Sequence, residues 1–310
     1  MPVKMGRQRS PFGGGSSDQL TLTRWIGLQG RLARPFWGVM GGWAVWCGAL
    51  ASNQVPWNGQ GLLTLALVVV LADLAWGSLW DLATGIDWFH LLGQAQPRSS
   101  LAFQPLLPYT SPSSPAGRLS QGRAWLSAWW RRVLWPAAGS AVLGLIAAVA
   151  LTVILSLLLP ARLRPLNAAF VALIGLGLFQ RKQGQAALAA QALVQVGLGW
   201  LAGHLAFSEM TPASLALALL FSLSACGVLW AARESKGYLW LLNGGLIASV
   251  AALILFKKPL AVGVTGLLFF GAVANQLPLR GADEPRAKEL RDRLWPWLMA
   301  GMFVAALAVP

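Results

Sequence analysis

From about residue 35 to its end, the chain is an almost unbroken series of apolar stretches, nine of them, at approximately 35–52, 60–83, 133–159, 163–180, 184–207, 211–232, 238–256, 258–279 and 293–309. A helix crosses the hydrocarbon core of a bilayer with about 17 to 25 residues. Backbone polar groups find no water at that depth, so stretches of this length fold as helices that satisfy their own hydrogen bonds. The pattern predicts an all-α polytopic membrane helical bundle of about nine transmembrane helices. Composition agrees, with 56% hydrophobic residues, 11% charged residues and a mean hydropathy of +0.59 over 310 residues. A soluble domain carries about a quarter of its residues as charges. The net charge of +14 therefore does not indicate a soluble nucleic-acid binder, whose Lys and Arg would surround a compact core among many more polar residues.

The basic residues instead report orientation, because short loops rich in Lys and Arg stay on the cytoplasmic side. With the N-terminus cytoplasmic and loops alternating, Lys4, Arg7, Arg9, Arg24, Arg31, Arg34, Arg98, Arg118, Arg123, Arg131, Arg132, Arg181, Lys182, Arg233, Lys236, Arg280, Arg286, Lys288, Arg291 and Arg293 fall inside. Only Arg162, Arg164, Lys257 and Lys258 fall outside, a division of 20 to 4 among the 24 basic residues. This predicts N-in topology, an external C-terminus and residence in the cytoplasmic (inner) membrane. Residues 1–30, basic and then rich in Gly and Ser, read as a flexible cytosolic tail without an apolar signal-peptide core. Residues 31–310 form the membrane domain, with cytosolic loops at about 84–132, 233–237 and 280–293. The 17 Trp outnumber the 2 Tyr, and most are placed near span ends as interfacial anchors in contact with membrane lipid.

Cys47 and Cys226 lie in separate apolar stretches and define no disulfide framework or thiolate metal site. His204, alone in an apolar stretch, and His90, at a helix end, read as packed or interfacial histidines. The ten acidic residues are more informative. Asp73, Asp81 and Asp87 fall on or just beyond the second stretch, and ionisable groups at membrane depth cost roughly 2.5 to 3.5 kcal/mol on an insertion scale, which marks them as functional candidates. Asp73 and Asp81, eight residues apart, read as one helix face, with Gly77 between them. Carboxylates at the mouth of a cavity are hard oxygen ligands of the kind Mg²⁺ accepts beside water and substrate phosphates. The alternative is that Asp81 and Asp87 cap the helix end and the following turn, or pair with loop arginines.

The segment Gly77-Ser78-Leu79-Trp80-Asp81-Leu82-Ala83-Thr84-Gly85-Ile86-Asp87 resembles the first signature of the UbiA-type intramembrane aromatic prenyltransferases, in the form Asp-x-x-x-Gly-x-Asp, with Gly77 and Ser78 where the family has Asn-Asp. Arg34-Pro35 before a Gly-rich first helix (Gly38, Gly41, Gly42) resembles the family's opening, and Pro115, Gly117, Arg118 and Ser120 match its long-loop element. The family's second signature, Asp-x-x-x-Asp, aligns with Leu229 and Arg233, neither of them a carboxylate; Glu234 is the acid beside them, before Lys236-Gly237.

The resemblance implies transfer of a prenyl group from a prenyl diphosphate to an aromatic, quinone-precursor or tetrapyrrole acceptor. It implies Mg²⁺ held by Asp81 and Asp87, with Glu234 as a substitute third ligand. Arg118 and Lys182 would neutralise the diphosphate, and the Trp side chains would stack on the acceptor. A catalytically degenerate relative that binds or assembles an isoprenoid or pigment is the alternative, favoured by the missing second signature. A small-molecule transporter, using Asp73, Gln191, Gln195, Asn243 and Asn275 near the midplane, is the third reading; the same amides also suit hydrogen bonding between helices.

Overall fold

A computed structural model describes residues 40–93, 114–179, 185–231, 238–276 and 284–309. Among them the chain is helical with no strands. α1 is Met40–Ala51, α2 Gly59–Gly85, α3 the short Trp88–Gly93 and α4 the long Pro115–Leu158. α5 is Arg164–Phe179; α6 runs from the turns Gln185–Ala192 through Leu193–Leu198 to Gly199–Phe207. α7 is Pro212–Ala231, α8 Tyr238–Leu255, α9 Pro259–Gln276 and α10 Glu284–Ala308. Each apolar stretch is helical over its described residues, and six helices, in α2, α4, α5, α6, α7 and α9, are long and apolar enough to cross a membrane. The chain is thus an all-α membrane protein.

Local chemistry sets the ends of these helices. Asn58 accepts the Gly61 N–H at 2.8 Å and Ser114 accepts the Gly117 N–H at 3.0 Å, so each caps a helix start with a side-chain oxygen. α4, α7 and α9 begin on Pro115, Pro212 and Pro259, where the missing N–H costs nothing. Between α8 and α9, Lys257 takes the left-handed conformation (φ 57°), donating its N–H to Ile254 O at 2.9 Å while Lys258 donates to Leu253 O at 3.1 Å. This is the C-terminal cap that closes a helix by satisfying its last carbonyls, and it sets the boundary that Lys257-Lys258-Pro259 marks in the sequence.

Two sequence expectations change. The stretch about 84–132, expected as a loop, includes α3 and the residues Pro115–Trp129, which are helical and continuous with α4. The segment 280–293 is helical from Glu284 onward. Among the described residues three helices also contain π turns, Val70–Trp76 in α2, Trp130–Leu134 in α4 and Leu193–Leu198 in α6. The i→i+5 bonding of such turns interrupts the 3.6-residue period on which sequence reading depends.

Lipid removes the hydrophobic drive between helices, so close packing has to hold the bundle together. α1 and α6 meet backbone to backbone: a Cβ at Gly48 would overlap the Trp200 carbonyl, and one at Gly203 would overlap that of Val45. α7 and α8 meet in the same way at Gly227, against the Leu242 backbone. Trp200, fully buried, stacks on Phe221 with ring centroids 5.8 Å apart and donates its indole N–H to Ser214 Oγ at 2.9 Å. α8 and α9 exchange two amide hydrogen bonds through Asn243 and Gln276, at 3.2 and 3.1 Å. On the outside, Leu157, Phe179, Leu260 and Leu267 stand largely exposed, an apolar surface of the kind that faces acyl chains.

Candidate functional site

The end of α2 and the turn behind it form a folded knot. Asp87 is the N-cap of α3: its carboxylate accepts the His90 N–H at 3.0 Å and its backbone carbonyl the Leu91 N–H at 3.1 Å. Trp88 turns back and donates its indole N–H to Ala83 O at 3.1 Å, while Trp129 of α4 donates to Leu91 O at 3.0 Å. The two indoles thus occupy carbonyls that a helix end leaves without intrahelical partners. Asp81, in the last turns of α2, and Asp87 both have exposed side chains. Gly177 of α5 admits the Trp80 ring, whose edge would lie 2.8 Å from a Cβ at that position.

Asp73 lies half-buried in the π turn of α2, and Gly41 of α1 gives it room, since a Cβ there would stand 3.3 Å from the Asp73 carboxylate. The π turn of α6 packs against both α1 and the π turn of α2. Asp73 and Asp81 therefore serve different surroundings, one between helices and the other at an exposed end.

Arg118 is exposed in the first turn of α4, above the Ser114 cap, and the adjoining Ser120 hydroxyl donates to Gly117 O at 2.8 Å. Eleven residues, about 16 Å of helix, separate it from the Trp129 anchor. Among the described residues no ion pair joins Arg118 to Asp81 or Asp87. Lys182 and Glu234 lie outside the described residues. Among the described residues no three His, Cys, Asp or Glu side chains gather around a common point. Asp81 and Asp87 offer hard oxygens suited to Mg²⁺, whose shell is ordinarily completed by water and phosphate.

His204 is a core histidine, as its apolar sequence setting predicts: its Nε2 faces the Glu209 carbonyl at 2.9 Å, and because a carbonyl can only accept, that nitrogen carries the proton. Cys47 and Cys226 are buried free thiols.

A groove of about 840 Å³ runs between α2, α4 and α5. Its walls are apolar (Leu145, Val149, Val153, Phe170, Ile174) and come from both α4 and α5. Ala83 and Trp88 line it together with Leu178, whose neighbour Gly177 packs on Trp80 and Thr84, and Leu157 and Arg164 line it beside the Ser156–Asn167 contact. The fifteen residue steps from Val142 to Leu157 correspond to about 22 Å of helix, room for one long hydrocarbon chain. Near the Leu157–Arg164 turn, Asn167 joins the wall together, accepting the Trp76 indole N–H at 3.1 Å and donating to Ser156 Oγ at 2.9 Å. Trp76 is fully buried and stacks on Phe170 at 5.3 Å. Asn167 and Ser156 are not among the residues that the sequence singles out by spacing or charge, although an amide three residues after Arg164 in an otherwise apolar stretch is a visible signal.

Comparison of the chain with protein-family models, with curated proteins and with solved structures returns no match.

Proposed function

We propose that the chain is a UbiA-like membrane prenyltransferase of nine spans with its N-terminus cytoplasmic, transferring a prenyl group from a prenyl diphosphate to an aromatic, quinone-precursor or tetrapyrrole acceptor. The carrying observation is the position of the groove: Leu79, Ala83 and Trp88, which line it, bracket Asp81 and Asp87 in sequence. An isoprenoid tail laid along α4 and α5 would present its diphosphate to those carboxylates at the end of α2. Sidedness is supported by the 20 of 24 basic residues that N-in topology places inside.

In this reading Asp81 and Asp87 would hold Mg²⁺, with Glu234 as a third ligand, and Arg118 and Lys182 would be cationic partners of the diphosphate. Bound Mg²⁺ would offset the diphosphate charge and so favour its departure. The allylic C–O bond breaks with its electron pair leaving on pyrophosphate; the acceptor's ring carbon bonds to the allylic carbon and then loses its proton. The apolar walls keep water from the allylic cation, and the aromatic rings near the groove stabilise its charge.

A second reading, a non-catalytic relative that binds or assembles an isoprenoid or pigment, draws on the role of Asp87 as a helix cap and on Leu229 and Arg233 at the second signature. One experiment separates the two: purified protein with Mg²⁺ and a panel of prenyl diphosphates, wild type against Asp81→Asn. Pyrophosphate release that the substitution abolishes supports the enzyme. Donor binding without release, in wild type and variant alike, supports the binding protein.

A further inference from the structure

At the end of the bundle remote from Asp81, two cavities share one lysine. The first, about 330 Å³, is enclosed by Asn53, Val55 and Trp57 of the α1–α2 turn, Lys258, and Val309 beyond α10. The second, about 430 Å³, is an apolar channel between α9 and α10, lined by Leu260, Val264, Val304 and Leu307, with Lys257 and Lys258 at its mouth. Lys258, Leu307 and Ala308 border both. A polar chamber beside an apolar channel, with Lys258 bordering both, suits an amphiphile.

The charge is equally specific. Lys257 and Lys258 are two of the four basic residues that break the positive-inside pattern. Lys257 is held in its left-handed conformation by the α8 cap, so the turn fixes the backbone from which the two lysine side chains emerge. Among the described residues neither is paired with a carboxylate. Trp57, 64% exposed, pairs with Trp46 at 6.5 Å, and exposed indoles of this kind sit at headgroup depth. Uncompensated cations at that depth, beside a side-chain amide and above an acyl-sized channel, call for a phosphodiester with a hydrocarbon tail.

We infer that this end of the protein is a binding site for one anionic glycerophospholipid, its phosphate on Lys258 with Lys257 and Asn53 and one acyl chain in the α9–α10 channel. The site is separate from the α2–α4–α5 groove and does not depend on the proposed reaction.

The test is native mass spectrometry of the full chain in detergent, titrated with phosphatidylglycerol or phosphatidylcholine of identical acyl chains. The site predicts one retained phosphatidylglycerol, favoured about fivefold or more over phosphatidylcholine, the order expected for one lysine at a lipid surface. Lys257→Ala with Lys258→Ala removes the preference, Lys257→Arg with Lys258→Arg keeps it, and Val264→Trp, which fills the channel, lowers retention of both lipids. Equal retention of the two lipids by wild type, or an unchanged preference in the double alanine variant, overturns the inference. So does displacement of the lipid by an equal concentration of inorganic phosphate, since the channel would then contribute nothing.

Discussion

The indole N–H of Trp76 in α2 ends on Asn167 Oδ1 in α5, 3.1 Å away, and the same amide reaches Ser156 in α4. One side chain therefore ties together the three helices that enclose the groove. Replacing Asn167 with Leu leaves the Trp76 donor without its partner in an apolar setting. The expected cost is about 1–3 kcal/mol, read as a lower midpoint in thermal unfolding of the detergent-solubilised protein, and Asn167→Gln recovers only part of it.

Gly48 and Gly203 lie where α1 and α6 touch through their backbones. Gly48→Leu forces the two helices apart and is expected to cost about 3 kcal/mol or more, seen as loss of monodisperse protein on size-exclusion chromatography. Gly263, where an added Cβ would meet open space, is the contrasting position: Gly263→Ala leaves stability unchanged or raises it by up to about 1 kcal/mol.

Asp87 has two duties in the proposed reading, helix cap and metal ligand, and different substitutions separate them. Asn and Asp cap helices about equally well, whereas Ala loses about 1 kcal/mol. Asp87→Asn is therefore expected to keep the fold of α3 and the thermal midpoint, yet to abolish Mg²⁺-dependent pyrophosphate release. Equal release by wild type and Asp87→Asn would confine Asp87 to its capping role.

If the α2–α4–α5 groove holds the prenyl tail, narrowing it should act by chain length. Val153 lines its wall on α4. Val153→Trp is expected to raise KM for long donors more than for short ones, with kcat for the short donors little changed. Steady-state kinetics with prenyl diphosphates of increasing length measure this, and a uniform rise in KM across the series would place the tail elsewhere.

Much of the architecture is legible in the sequence because span length and turn chemistry are local properties. Pro212, Pro259 and the pair Lys257-Lys258 mark boundaries that the structure keeps. The π turns are not legible, since Val70–Trp76 and Leu193–Leu198 carry no Pro or capping signal that would set them apart from the α-helical turns on either side. The helix at Pro115–Trp129 is hidden because its polar residues give no apolar period, although Ser114-Pro115 is a sound capping signal. Of the candidate site, Asp81 and Asp87 are visible as rare carboxylates, while the groove depends on Asn167 and Trp76, 91 residues apart, a pairing that spacing along the chain does not reveal.

The turn at Lys257 and the Asn243–Gln276 amide pair close α8 and α9 at opposite ends. With so short a connection, neither helix has room to enter the bilayer long before the other. In the proposed N-in topology, this hairpin carries Lys257 and Lys258 across the bilayer together, at the tip of its two apolar arms.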